Sequence, residues 1–241
     1  MAIKVRLSTK LLKNIPPLYD DDINRMLMEY IDNSIDSADD LKKENNNEYP
    51  RKIKIDVFID TGKGEISFLD NCRGMTPEKL QSVIENIGDS EKKAQVWTNG
   101  QFGVGMWVFA GFAKEMEIIT KDSRSSPYKI YIPVKVVDEG EEEIEDMKGL
   151  KDKDFPYVSG TKIILKGIEK KMLKQISYQF LKNEVEKHFE LLLSDPNIEV
   201  IIHIDGKDEK CTAFDYEEIY GETVEREIMN CETGRKQSIK H

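Results

Sequence analysis

Apolar residues recur along the chain with two different spacings, and each spacing predicts a different element. Between Asp22 and Lys43 they recur every three or four positions, which predicts an amphipathic helix. These positions are Ile23, Leu27, Tyr30, Ile31 and Ala38. From Ile53 to Ile59 apolar and polar residues alternate, which predicts a half-buried strand. The turn at 61–64 then leads into a predicted hairpin partner at 65–70.

The rest of the chain mixes further helices and strands. Thr76 followed by Pro77 predicts a helix start, because a hydroxyl cap and an early proline suit a first turn. A short helix is predicted in the apolar segment 106–113, and a long helix at 170–194. Further strands are predicted at 115–121, 128–137, 160–168 and 198–207, the last turning at Asp205–Gly206. The order predicts an α+β fold, a two-layer α/β sandwich whose mixed, largely antiparallel sheet has helices on one face.

The same reading divides the chain into three parts. The pattern predicts an N-terminal arm at residues 1–20 and one domain at residues 21–206. Residues 207–241 are predicted to form a tail or the start of a following domain. Within the domain, the glycine-punctuated segment 88–105 predicts a mobile loop. The acidic segment 138–154 predicts a solvated loop.

Composition and charge argue against several functions. The net charge of −10 argues against nucleic acid binding by this domain alone. The sequence contains no run of about 18 apolar residues, so no membrane span is predicted. The N-terminus lacks the apolar core of a signal peptide. Cys72, Cys211 and Cys231 are few, odd in number and without metal-type spacing, which favours a reduced, cytoplasmic protein.

Acidic and amide side chains on two of these elements are candidates for chemistry. On the first helix, spacings of four and seven place Glu29, Asn33 and Asp36 on one face. Taken alone, this face is either a solvated stripe or part of a site. Asp70 ends a strand before the turn at Gly74. Its carboxylate either accepts a hydrogen bond from a ligand N–H in a cleft or caps the next helix.

A glycine-rich stretch precedes the apolar segment. Gly100, Gly103 and Gly105 allow successive backbone N–H groups to curl around an anion, although a flexible hinge has the same composition. The stretch is neither a Walker loop nor a dinucleotide-binding fingerprint. Thr161 begins a strand, and a hydroxyl there is by itself only turn chemistry.

Taken together and in this order, these stretches resemble the GHKL ATPase superfamily: DNA gyrase B, ninety-kilodalton heat-shock chaperones, MutL, MORC and histidine kinases. Residues 29–36 match its first box, E-x-x-x-N with a trailing Asp, and residues 70–75 resemble D-x-G-x-G-M. Residues 100–105 are similar to the chaperone form of the second glycine box, and residues 159–161 resemble the last box. The resemblance covers about residues 20–205 and implies a Bergerat fold with a mobile ATP lid.

The resemblance also implies ATP hydrolase activity with ATP and Mg²⁺ as cofactors. Glu29 would be the general base, Asn33 would bind Mg²⁺ through its amide oxygen, and Asp36 would support the polar network. Asp70 would accept from the adenine amino group with Thr161 nearby. Gly74 would let the backbone approach the base, and Met75 would pack on it. The phosphate-binding N–H groups would belong to Gly100, Gln101, Phe102, Gly103, Val104 and Gly105.

Two comparisons narrow the choice of subgroup. Histidine kinases usually have Asn at the position of Glu29, and their phospho-accepting histidine precedes the ATP module, whereas His188, His203 and His241 follow it here. Residues 188–207 look more like the end of the ATP module in MutL- and MORC-like proteins, where a second domain supplies a lysine. We therefore expect an N-terminal fragment rather than a stand-alone module. Cys72 departs from the glycine that the family usually has, which would narrow the adenine side or change the turn.

The leading hypothesis is a Mg²⁺-dependent ATPase whose slow hydrolysis drives a conformational switch of lid and homodimer. An alternative hypothesis is a nucleotide-sensing interaction module that binds ATP or ADP with little turnover. A further alternative is the ATPase domain of a DNA-repair or chromatin clamp, in which contacts to DNA come from elsewhere.

Overall fold

The computed structural model describes residues 3–4, 19–20, 22–85, 105–135, 143–144, 147–214, 225–229 and 236–240. Its strands are β1 (Ile3–Lys4), β2 (Ile53–Asp60), β3 (Glu65–Asp70), β4 (Glu115–Lys121), β5 (Tyr128–Pro133), β6 (Glu143–Ile144), β7 (Lys148–Gly149), β8 (Gly160–Lys166), β9 (Ile198–Ile204), β10 (Lys207–Cys211), β11 (Glu225–Met229) and β12 (Lys236–Lys240). Its α-helices are α1 (Ile23–Glu44), α2 (Pro77–Glu85), α3 (Lys170–Leu173), α4 (Tyr178–His188) and α5 (Glu190–Leu193). Short 3₁₀ helices cover Gly105–Gly111 and Asp152–Asp154.

One eight-stranded sheet organises the domain, in the order β10-β9-β2-β3-β8-β4-β5-β7. Among its described strands, β2 and β9 pair in parallel, and the other neighbours pair antiparallel. Two short antiparallel pairs, β1 with β6 and β11 with β12, stand apart from it. The predicted α+β fold with a mixed, largely antiparallel sheet is confirmed.

The helices pack on one face of this sheet. In β2 the alternate residues Ile53, Ile55, Val57 and Ile59 are buried, whereas Lys54 and Phe58 between them are exposed. The buried side meets α1, on which the apolar positions recur at helical spacing. The Tyr30 ring, for example, stacks on Phe68 of β3 with 4.9 Å between ring centroids. The predicted two-layer arrangement therefore follows from one apolar face on each element.

The N-terminal end of α1 is anchored twice. Asp22 caps the helix, and its carboxylate accepts a hydrogen bond from the backbone N–H of Asn24 at 2.9 Å. The Asn24 side chain then donates to the Gln175 carbonyl at 3.0 Å and accepts from the Ser177 N–H at 2.9 Å. These bonds fix the position of α1, and therefore of its polar face, relative to the connection between α3 and α4.

The long helix predicted at 170–194 is wrong, because the segment forms three separate helices, α3, α4 and α5. The Ser177 hydroxyl accepts a hydrogen bond from the Phe180 N–H at 3.2 Å, so a new helix begins there. At Phe189 the backbone leaves helical geometry, with φ of −114° and ψ of 24°, and α4 ends.

Other boundaries also differ from the sequence-based prediction. The apolar segment after the glycines is a 3₁₀ helix, and the strand predicted at 128–137 ends at Pro133. The turn at Asp205–Gly206 was predicted correctly, and β10 after it joins the edge of the sheet. The division of the chain into arm, domain and tail stays a prediction. No helix within the described parts of the chain has the length and apolar character needed to cross a membrane.

Candidate nucleotide site

Asp70 lies at a buried corner where β3 ends, with 3% of its surface exposed. Its Oδ1 accepts hydrogen bonds from the Cys72 N–H at 2.9 Å and from the Thr161 N–H at 3.2 Å. Its Oδ2 lies 3.2 Å from the Ser34 hydroxyl of α1. Burial raises the pKa of Asp70 to about 6, although these hydrogen bonds act to lower it. The carboxylate is therefore mostly ionised at pH 7 and titrates just below it.

The Ser34 hydroxyl has one hydrogen and two acceptors. Its oxygen lies 3.2 Å from Asp70 Oδ2 and 3.2 Å from the carbonyl oxygen of Tyr30. When the hydrogen points to Tyr30, a lone pair on Oδ2 becomes available to a donor from a ligand. The corner can therefore bind an N–H group without leaving Ser34 unsatisfied.

Two threonine hydroxyls line the same corner. Thr120 Oγ1 accepts from the Met75 N–H at 3.0 Å and donates to the Gly160 carbonyl at 3.1 Å. Thr161 Oγ1 lies 3.0 Å from Thr120 Oγ1, and Thr161 is the donor because Thr120 has already used its hydrogen. The sequence reasoning missed Thr120. The available signal was a polar residue at an inward position of β4, where Met116 and Ile118 are buried.

Two glycines allow the turn after β3 to pack closely against neighbouring strands. Gly74 has φ of +71°, and a Cβ there would overlap the Lys121 carbonyl oxygen. Gly160 has φ of +145°, and a Cβ there would overlap the Asp70 carbonyl oxygen. The close approach made by Gly74 is thus to protein backbone, and its approach to a base stays a prediction.

Cys72 is accommodated at the usual glycine position without strained backbone. It is not among the described residues with positive φ, and its side chain is buried in the core. The thiol hydrogen-bonds to the Asp70 carboxylate, and burial raises the thiol pKa well above its usual value. The side chain therefore adds a donor to Asp70 and stays a protonated thiol.

The other end of the α1 face carries Glu29. A Cβ on Gly105 would overlap Glu29 Oε2, so the carboxylate lies against the first residue of the 3₁₀ helix. One residue further on, the Tyr30 hydroxyl donates to the Met106 carbonyl at 3.1 Å. The Tyr19 hydroxyl also hydrogen-bonds to Glu29, and its pKa is raised by burial and by that carboxylate. Sequence reasoning missed Tyr19, which is held one turn before the α1 cap.

The remaining predicted residues divide into two groups. Asn33 is exposed and Asp36 is half-buried on α1, one or two turns beyond Glu29. The predicted phosphate-binding residues Gly100, Gln101, Phe102, Gly103 and Val104 lie outside the described residues. The structure thus brings Glu29 next to Gly105, and Asp70 next to Thr161 and the Gly74–Met75 turn.

The donor set fits a magnesium nucleotide better than a protein-only metal site. Among the residues described, no cluster of three or more His, Cys, Asp or Glu side chains could hold a metal ion. Mg²⁺ in nucleotide sites needs one or two protein oxygens and takes its other ligands from phosphates and water. The exposed amide oxygen of Asn33, beside Glu29 on one helix, has the required chemistry.

The fold is a two-layer α/β sandwich with a polar corner at Asp70 and a carboxylate, Glu29, against Gly105. A family model for the histidine kinase-, DNA gyrase B-, and HSP90-like ATPases matches residues 21–162. Because the match covers more than half of the chain, the protein belongs to this family, which is the GHKL superfamily that the sequence motifs resemble. No curated protein matches the chain at a significant level. Family membership supports ATP binding.

Proposed function

We propose that this domain binds ATP with Mg²⁺ and hydrolyses it slowly, so that the bound nucleotide sets its conformation. One observation carries the proposal: a single helix, α1, brings Glu29 against Gly105 and Ser34 against Asp70. Glu29, which is suited to activating water, and Ser34, the partner of the base-recognising Asp70, therefore lie on one rigid helix. At 1.5 Å per residue, Glu29 and Ser34 are about 7.5 Å apart along the helix axis.

At the base end, Asp70 accepts a hydrogen bond from the adenine amino group. The proposal is supported by its burial and by the two backbone N–H groups that fix Oδ1. The Thr161 hydroxyl, whose hydrogen goes to Thr120, keeps a lone pair that can accept a hydrogen bond from a bridging water, and Thr120 fixes its position. Met75, partly buried beside the core, packs on the base.

At the phosphate end, Glu29 orients the attacking water and accepts its proton as general base. The Tyr19 hydroxyl holds the carboxylate in place by a hydrogen bond. Asn33 would hold Mg²⁺, with Asp36 supporting the polar network. When bound, the ion would neutralise phosphate charge. The backbone N–H groups of 100–105 would cradle the phosphates, as the family resemblance implies.

The switch role also rests on that resemblance. In the proposed switch, ATP binding orders the lid and favours a homodimer, and hydrolysis opens the lid and lets the dimer dissociate. Light scattering with and without a non-hydrolysable ATP analogue measures this step. A monomer in both states would remove dimerisation from the proposal and leave nucleotide binding untouched.

Calorimetry with ATP and Mg²⁺, followed by a phosphate-release assay, tests binding and hydrolysis. We expect ATP to bind and Glu29→Gln to lower turnover by about a hundredfold with little change in affinity. The matched control is Glu184→Gln on α4, at an acidic residue whose carboxylate oxygen Oε2 lies 3.9 Å from His188 Nδ1. Equal turnover in wild type and Glu29→Gln would refute the general base. Binding with no hydrolysis above background would leave a nucleotide-sensing module.

A further inference from the structure

The Arg51 side chain joins three segments around the Asp70 corner. It lies just before β2, and its Nε donates to the Asn71 carbonyl at 2.9 Å. Its Nη2 donates to the Cys72 carbonyl at 2.9 Å and also to the Ser159 hydroxyl. Ser159, which is buried, donates in turn to the Cys72 carbonyl at 2.6 Å. One guanidinium thus links the start of β2, the turn after β3 and the residue that precedes β8.

The linked segments supply the two N–H groups that fix Asp70. One belongs to Cys72, whose carbonyl Arg51 binds, and the other belongs to Thr161, two residues after Ser159. Asn71 anchors the same turn separately, since its side chain accepts from the Lys54 N–H and donates to the Lys52 carbonyl, both at 2.8 Å. Loss of Arg51 therefore leaves the turn attached to β2 through Asn71 and to Ser159 through one direct hydrogen bond, but removes the guanidinium that ties all three segments together.

We infer that Arg51 is a positioning residue for nucleobase recognition, holding the Asp70 turn and the Thr161 strand in register. This inference rests on the proposed function. The phosphate end does not depend on the link, because Glu29 and Gly105 contact each other through α1 and the 3₁₀ helix. Arg51 should accordingly determine how strongly adenine is preferred, and should leave the rate of hydrolysis of bound ATP almost unchanged.

The chemistry of the link requires a guanidinium. Nε and Nη2 point to different acceptors from one rigid plane, so three acceptors are bound without loss of geometry. A lysine ammonium is a single point of charge and reaches only part of this set. Arg51→Lys is consequently expected to keep the positive charge but to lose the register between the Asp70 turn and the Thr161 strand.

Dissociation constants for ATP and ITP, measured by calorimetry in parallel, test the inference. Inosine has a carbonyl oxygen in place of the adenine amino group, so the group at position 6 cannot donate to Asp70. We expect Arg51→Met to weaken ATP binding about tenfold and ITP binding by less than about twofold. Turnover at saturating ATP should stay within about twofold of wild type. Arg124→Met, at a largely exposed arginine paired with Asp122 at 3.3 Å, is the control and should change neither affinity.

A second variant covers the case in which Arg51→Met does not fold. Ser159→Ala removes one acceptor of the link and should lower the ATP-to-ITP preference in the same direction, by about threefold. Equal weakening of ATP and ITP, or no change in either, for a folded Arg51 or Ser159 variant would overturn the inference while the proposed function stands. Absence of ATP binding by the wild type would overturn both.

Discussion

Replacement of Asp70 by Asn separates the cost of burying this carboxylate from its use in recognition. The pKa of Asp70 is raised from 3.8 to about 6, so ionisation opposes folding by about 3 kcal/mol at pH 8. In Asp70→Asn the amide oxygen can still accept from the Cys72 and Thr161 N–H groups. The amide nitrogen can donate to Ser34, whose own hydrogen then goes to the Tyr30 carbonyl. The hydrogen bonds to the two backbone N–H groups and to Ser34 are thus kept, and the buried charge is removed.

We therefore expect Asp70→Asn to be more stable than wild type at pH 8, by up to about 3 kcal/mol or about 6 to 12 °C in Tm. Because the folded-state pKa is above the unfolded one, wild-type folding takes up a proton between about pH 4 and 6. Wild-type stability from this group therefore falls as pH rises through that window, and the variant lacks this slope. The difference in Tm should be small at pH 4 and largest above pH 6.

Thermal unfolding followed by circular dichroism from pH 4 to 8 measures this difference. Asp60→Asn is the control, because Lys63 lowers the pKa of that exposed carboxylate and its removal should give no gain. Calorimetry on the same samples should show loss of ATP binding in Asp70→Asn, since an amide N–H₂ would face the adenine amino group. A variant less stable than wild type at pH 8, or a difference independent of pH, would refute the burial argument. Undiminished ATP binding would refute the role in recognition.

Two further predictions concern groups away from this carboxylate. Tyr19→Phe removes a hydrogen bond to Glu29, so turnover should fall about tenfold at constant ATP affinity; a change in affinity alone would contradict this. His203 binds Asp208 at 2.7 Å and Asp56 at 2.9 Å; burial lowers its pKa, but the two carboxylates raise it overall. Both ring nitrogens donate only in the charged form, so stability from this pair is complete below about pH 6.5 and is lost as pH rises through the raised pKa. His203→Gln should remove that slope of Tm against pH, and identical slopes would count against it.

Local periodicity was enough to predict the elements that place the site. The α1 helix and the β2–β3 hairpin lie almost where the apolar spacing puts them, because each buries a face that its own sequence repeats. The break at Ser177 was not predictable in this way. There the backbone N–H of the capping residue, Ser177, donates to Asn24, which lies 153 positions away in sequence.

The site itself was predicted by resemblance rather than by spacing. Asp70 and Thr161 are 91 positions apart, and no periodicity of either strand indicates that they meet. Thr120 and Arg51 were missed for the same reason, since their partners Met75 and Ser159 lie 45 and 108 positions away. The family boxes name residues that the resemblance implies touch the ligand, whereas Thr120 and Arg51 contact the turn and strand that carry such residues.

The attachment of Asn24 to the 175–177 connection gives α1 a mechanical role. The helix carries Glu29 near its beginning and Ser34 five residues further on. A displacement of that connection would therefore move both contacts together. Under the proposed function, a displacement on the α3–α4 side of the molecule would therefore change base binding and hydrolysis together.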